Sequence, residues 1–326
     1  MTGPLVSVLV PCYDYGRYVR TCVESMLQQT ARDLEVLVLD DGSTDDSWSV
    51  VQSLSALDPR VRALQHEANQ GHVTTMNDLI HAASGRYVVM LGADDLAASR
   101  DVLQSQLTAL ERNPEAGFAY GDYELMDPEG RPIGREHVDA PEFLPARDVF
   151  ERLLLRNFVP HSGTLVRAEC YERLGVNDPR FHYSHDWELW LRLSSRYGAA
   201  HIRRPLYRYR MHHNSLRSTA KLELTVPEFH AVIDHAASYS PLPAARFREL
   251  QQRGHANASV LRATAYLARG RYRGALADLI NAMRAEPRAL MTLALPRAAL
   301  SAAAGVILGR RKERVLSAVR RFITRR

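Results

Sequence analysis

The chain has 326 residues, 46% hydrophobic and 24% charged, which excludes a disordered or collagen-like polymer and leaves length for two or three domains. Three cysteines, Cys12, Cys22 and Cys170, show no metal-ligand spacing and exclude a disulfide scaffold, so they read as ordinary thiols of a reducing compartment. The net charge of +5 belongs to the tail, where residues 310–326 hold seven Arg and Lys312 against Glu313, so the body need not bind polyanions.

Met1-Thr2-Gly3-Pro4 has no basic region and the apolar run after it is short, so no signal peptide is expected. Short β-branched runs predict strands at residues 6–10, 35–39, 61–64 and 87–91, with helical periodicity between them at 18–29, 47–57 and 73–83. This alternation implies a parallel sheet with right-handed crossovers, whose ligands bind beyond the carboxyl ends of the strands. Further on, a strand is expected at 117–120, a turn at 127–130, helices at 146–155, 167–174 and 186–195, and strands near 162–166, 201–203 and 206–210. Beyond Thr219 alanine, leucine and arginine recur at helical spacing, marking a separate helical region. Within it residues 265–276, with Ala282 and Pro287, resemble one tetratricopeptide hairpin, expected to pack on flanking helices rather than build a peptide-binding array.

Two acidic pairs stand at strand ends. In Leu39-Asp40-Asp41-Gly42-Ser43-Thr44-Asp45, a capping turn explains Ser43, Thr44 or Asp45. It does not explain adjacent carboxylates, which repel unless a cation or a donor-bearing ligand shares them. Leu91-Gly92-Ala93-Asp94-Asp95 repeats the pattern, and hard cations such as Mg²⁺ or Mn²⁺ take carboxylate oxygens and complete their shells with phosphate and water. The alternative there is a second capping turn, before a helix at 97–103. No glycine-rich phosphate loop is present, so a kinase or dehydrogenase lacks its anchor.

Residues 6–13 with Asp14, the Asp40-Asp41-Gly42-Ser43 run, Asn69-Gln70-Gly71, Gly85-Arg86-Tyr87 and Gly92-Ala93-Asp94-Asp95 together resemble an inverting glycosyltransferase of family 2 over about residues 5–215. The resemblance implies a GT-A α/β fold, a mixed Rossmann-like sheet flanked by helices, followed here by an all-α region. It implies that Pro11 and Tyr13 line the base pocket, Asp41 accepts the ring N–H of a uracil or thymine, Asp94 holds the ribose and Asp95 the metal. Two departures stand out: Gly92 occupies a position that is often Asp, and Met76-Asn77 lacks the arginine often found there.

His185-Asp186-Trp187 resembles the family's acidic-Asp-Trp element. By that resemblance Asp186 is the base that deprotonates the acceptor and Trp187 shapes the acceptor pocket, with His185 in place of an acidic residue; locally, Asp186 also reads as an N-cap. Tyr209, Arg210, His212 and Ser215 match the family's Tyr-Arg-x-His-x-x-Ser element, which implies that Arg210 offsets phosphate charge and His212 completes the metal shell. His213 reads as a surface histidine; His161 and His182 are unassigned, either able to touch an acceptor but better read as satisfied or exposed.

The expected division is a nucleotide-sugar half at 1–115, an acceptor half at 116–218 and a helical region at 219–326. The expected activity is metal-dependent transfer from a nucleoside-diphosphate sugar to a glycan or lipid-linked acceptor in surface polysaccharide synthesis, with Mn²⁺ or Mg²⁺ as cofactor and no nucleic acid partner. The expected location is cytoplasmic. The tail fits a basic amphipathic helix able to lie on an anionic membrane, or a solvated helix packed on its own domain. A different class remains open: a degenerate transferase fold serving as a scaffold through its helical region.

Overall fold

The computed structural model describes residues 3–212 and 222–286. They divide into two compact units, one of residues 3–153, 157–212 and 238–241, the other of 154–156, 222–237 and 242–286.

In the first unit β1 (Val6–Cys12) and β2 (Leu34–Asp40) are buried at every residue, as parallel strands covered on both faces must be. They alternate with α1 (Gly16–Leu27), α2 (Ser47–Leu57), β3 (Val61–Gln65), α3 (His72–Ala82) and β4 (Tyr87–Met90). The four strands pair in parallel in the order β3-β2-β1-β4. Cys12 lies opposite Asp40, and Leu9 opposite Met90, so the chain leaves all three of these strands at one edge of the sheet.

The remainder is β5 (Leu96–Ala97), α4 (Val102–Arg112), β6 (Ala116–Met126), β7 (Pro132–Glu136), β8 (Phe143–Leu144), α5 (Ala146–Leu155), β9 (Leu165–Arg167), α6 (Ala168–Leu174), α7 (His185–Ser194) and β10 (Gly198–Arg210). The sheet continues β4-β9-β6-β10-β5 and becomes mixed, because β9 runs antiparallel to both β4 and β6. Two local expectations change. The helix expected at 97–103 starts only at Val102, since Leu96 and Ala97 pair with Arg208 and Tyr207. The two strands expected at 201–210 are one, because register shifts on both sides of Pro205 absorb a residue that cannot donate to the ladder.

One carboxylate sits inside this apolar layer. Glu35 Oε1 accepts from Ser7 Oγ at 2.6 Å, Ser84 Oγ at 2.7 Å and Ser84 N at 2.9 Å, while Oε2 accepts from Arg62 at 3.0 Å. Burial pushes its pKa up, but these donors outweigh burial and hold it below the ordinary carboxylate range. The network ties β1 and β2 to the segment that leads into β4.

The second unit contains α8 (Leu222–His235), α9 (Ala244–Ala268) and α10 (Tyr272–Ala285). The last two form a hairpin over a small-residue core of Ala256, Ala263, Ala275, Leu279 and Ala282, closed by the Arg262–Asp278 pair at 2.6 and 2.7 Å. The tetratricopeptide-like run falls on this hairpin; Pro287 and the basic tail lie outside the described residues. Among the described residues no helix is long and apolar enough to cross a membrane.

Replacing Glu35 by Ala strands three donors in the core and is expected to cost ~3 kcal/mol in urea unfolding at pH 7. Because the native carboxyl is held low, the difference from wild type should shrink as pH falls below about 4.

Candidate active site

The loops leaving β1 and β2 are stitched together. Asp14 takes a left-handed φ of 55°, and its Oδ1 accepts from Thr44 N at 2.7 Å while its own N–H donates to Ser43 Oγ at 2.9 Å. Asp45 Oδ2 accepts from Gly16 N at 3.0 Å, and Ser47 Oγ from Tyr15 N at 2.9 Å. Ser43 and Thr44 therefore bond Asp14 rather than cap α2. Gly42, at φ 69°, has Ala68 and Asn69 backbone 2.7 Å from where a Cβ would stand, so no other residue fits.

Asp41 is buried at the carboxyl end of β2. Its Oδ1 accepts from His66 Nδ1 at 2.7 Å and Gln70 N at 2.8 Å, and its Oδ2 from Gly71 N at 3.0 Å. His66 Nε2 in turn meets Asp78 at 3.1 Å. A carboxylate offers about four lone-pair sites, so three donors leave room for one more. Pro11 is buried at the end of β1, and Tyr13 is 43% exposed beside it.

The second acidic pair follows β4. Asp95 Oδ2 accepts from Ser162 Oγ at 2.7 Å and Oδ1 from Arg210 N at 3.1 Å. Asp94 Oδ2 faces His212 Nε2 at 2.9 Å. Burial first, and Asp94 next, push the Asp95 carboxyl well above its ordinary value. A Cβ at Gly92 would lie 2.9 Å from Asp94 Oδ1 and 3.0 Å from Asp95 Oδ2, so the missing side chain leaves both carboxylates converging on one spot.

Arg210 packs its guanidinium 4.5 Å over the Tyr18 ring and donates to the carbonyls of Asp94 (2.9 Å), Asp127 (3.3 Å) and Pro128 (2.9 Å). These bonds engage Nε and Nη1, leaving the Nη2 donors without a partner among the described residues. The His212 ring lies 5.9 Å from Tyr15 and 5.7 Å from Tyr18, so α1 supplies an aromatic wall. His213 and Ser215 lie outside the described residues.

Among the described residues no group of three or more His, Cys, Asp or Glu side chains is placed to hold a metal ion by itself. The donor set nevertheless fits a hard cation that draws its other ligands from phosphate and water, because two carboxylates this close stay ionised together only beside positive charge.

Asp186 lies in the first turn of α7, one place past the first helical residue, and Ser184 occupies the N-cap. Its Oδ2 accepts from Asn157 Nδ2 at 3.0 Å and its Oδ1 from Trp187 N at 2.7 Å. Burial raises its pKa to about 6 against the pull of those two donors. Trp187 is buried, with its indole N–H given to Leu153 O at 2.8 Å. Asn77 is spent on Asn177, accepting from its N and Nδ2 and donating to its carbonyl, all within 3.0 Å.

Tyr209 OH donates to Ser162 O at 2.5 Å, and burial first, then Asp95, Tyr123 and Asp186, push its phenol well above the ordinary range. On the other side, His72, His161 and His185 gather between Gly71, which holds Asp41, and Asp186. Motif spacing gives no signal for His66, Asn157, Ser162 or His72: each acts through a partner at least twelve positions away.

The sequence model described as glycosyl transferase family 2 matches residues 7–175. A putative teichuronic acid biosynthesis glycosyltransferase, TuaG, of Bacillus subtilis (strain 168) is 30% identical over 218 residues, spanning 66% of this chain and 82% of the relative. S. aureus TarS 1–349, solved with UDP-GlcNAc, is similar with a TM-score of 0.66 at 16% identity, covering 86% of this chain and 81% of that one. A Pyrobaculum calidifontis mannosyltransferase, solved with GDP-Man and Mn²⁺, gives a TM-score of 0.56 at 18% identity, covering 97% and 84%. The fold is of the GT-A type.

A carboxyl raised to about 6 in the fold and ionising near 3.9 when unfolded weakens the protein once it is charged. Asp186→Asn is therefore expected to match wild type in thermal stability below pH ~4, gain on it between ~4 and ~6, and stay more stable above. A parallel pair of unfolding curves across that range checks the sign.

Proposed function

The chain belongs to glycosyl transferase family 2, and on that premise we propose that it moves a sugar from a nucleoside diphosphate to a hydroxyl of a glycan or lipid-linked acceptor, with inversion. The observation that carries this reading is Asp186: a buried carboxylate held by Asn157 Nδ2 and by the Trp187 N–H in the first turn of α7, with a pKa raised by burial to about 6. A base serves best when its pKa lies near working pH and it is pre-positioned.

In the proposed step the acceptor oxygen attacks the anomeric carbon and Asp186 takes its proton. The bond from that carbon to the diphosphate oxygen breaks on the opposite face, with its electron pair leaving on the diphosphate. One displacement gives one inversion. Asp95 with Asp94, and His212 beside them, would hold a Mn²⁺ or Mg²⁺ ion, which offsets the charge of the leaving diphosphate when bound. Arg210 stands next to them with two donors to spare for phosphate oxygens.

For the donor, the remaining lone pair of Asp41 favours a pyrimidine with a ring N–H, which makes UDP or dTDP sugars the preferred class. That TarS was solved with UDP-GlcNAc supports this choice, and the name of the B. subtilis relative supports a cell-surface polysaccharide as the product.

Asp186→Asn should lower transfer by about 10²- to 10⁴-fold while nucleotide binding, read by thermal shift, stays as in wild type. Asp95→Ala should abolish the Mn²⁺-dependent part of that shift. A panel of nucleoside diphosphates in the same assay tests the donor class: a shift with GDP alone would remove the pyrimidine assignment.

A further inference from the structure

His72 opens α3, His161 lies in the segment before β9, and His185 opens α7, so three separate elements contribute one ring each. The ring centroids are 5.0 Å apart for His161 and His185, 5.5 Å for His72 and His185, and 6.1 Å for His72 and His161. His72 and His161 are only partly covered, and among the described residues neither has a hydrogen-bond partner at either ring nitrogen. His185 differs. Its Nδ1 lies 3.2 Å from Asn177 Oδ1, and because Asn177 Nδ2 donates to Asn77, that oxygen must be the acceptor. The His185 proton therefore sits on Nδ1, and Nε2 is left as an acceptor.

Desolvation in the cluster favours the uncharged form of each ring: it pushes His161 down to about 4 and His72 to about 3, the latter helped by its histidine neighbours, and pushes His185 well below the ordinary value. A neutral imidazole presents one donor and one acceptor. Phosphate oxygens need donors and positive charge, which Arg210 supplies elsewhere in the unit. Hydroxyl groups, which both give and accept, match a neutral triangle far better.

Position narrows the choice of hydroxyl. Gly71, whose N–H holds Asp41, immediately precedes His72, and Asp186 immediately follows His185. In a single displacement the migrating sugar must lie between its nucleotide and the hydroxyl that the base deprotonates. We propose that His72, His161 and His185 form the seat of the sugar being transferred, and that their ring nitrogens bond its hydroxyls and select among donor sugars. This rests on the donor reading above and names the part of the site that recognises the sugar rather than the nucleotide.

Calorimetric titration separates the two. UDP, dTDP and GDP, and their hexose and N-acetylhexosamine conjugates, are titrated with Mn²⁺ into wild type, the His72→Phe/His161→Phe double variant and His161→Gln. The expected result is a wild type that binds one conjugate at least about tenfold more tightly than its parent nucleotide. The double variant should bind both equally, with the nucleotide affinity unchanged. His161→Gln, which keeps a donor and an acceptor, should retain most of the gain, as a merely structural ring would not predict. A gain that survives in a folded double variant overturns the proposal. So does an equal loss for nucleotide and conjugate, which would put the rings on the diphosphate. Wild type that binds nucleotides without any sugar-dependent gain overturns this inference alone, whereas wild type that binds no nucleotide overturns the donor reading and this inference with it.

Discussion

Because β1 and β2 are covered on both faces, a charged group on either must be neutralised within the sheet or delivered to its edge. Glu35 illustrates the first case, with three donors on Oε1 and the Arg62 guanidinium on Oε2. Asp40 and Asp41 illustrate the second. Asp40, the last residue of β2, is already less well served: among the described residues Oδ2 has two long bonds of 3.3 Å and the buried Oδ1 has no partner. One step further, Asp41 reaches backbone N–H groups and His66. The site lies where the sheet stops being able to bury charge without help.

Charge is then divided by kind. The partners of the acidic pair after β4, Arg210 and His212, come from the end of β10 and just beyond it, and are backed by Tyr15 and Tyr18. Among the described residues no comparable cation lies in hydrogen-bond reach of Asp186. Its donors are an amide side chain and a backbone N–H, and burial pushes the adjacent His185 well below the ordinary histidine pKa. On the proposed reading, the carboxylate pair is neutralised by a cation and the single carboxylate takes a proton. The same residue type serves two purposes because its surroundings differ.

The sheet was legible where the sequence is monotonous. β1, β2 and β4 are runs of Val, Leu and Met with few interruptions, and their burial follows directly, whereas β3, with Arg62 and Gln65, is buried only at Val61. β5 was not legible, because two residues carry no periodicity and Leu96–Ala97 extends only by pairing with a strand 110 positions later. β10 read as two strands because Arg203, Arg204 and Pro205 break the alternation, while β6 alongside accommodates the break. The acidic pairs could be found because adjacent carboxylates at a strand end demand an explanation. The histidines could not: residues 72, 161 and 185 share no motif, and only the crossovers bring them within 6.1 Å. Asn157, which sits in an irregular stretch with no pattern around it, was silent for the same reason.

The cross-stitch between Asp14, Ser43, Thr44, Asp45 and Ser47 bears on how such proteins diverge. The two loops it joins cannot lengthen or shorten separately, since Asp14 holds its left-handed backbone only with Thr44 opposite, and the start of α1 takes Asp45 as its acceptor. Recombination between relatives that cuts between these segments would strand both halves of the clasp. A crossover placed beyond Ser47 would carry it intact, so the natural exchange module at this end of the chain reaches at least that far.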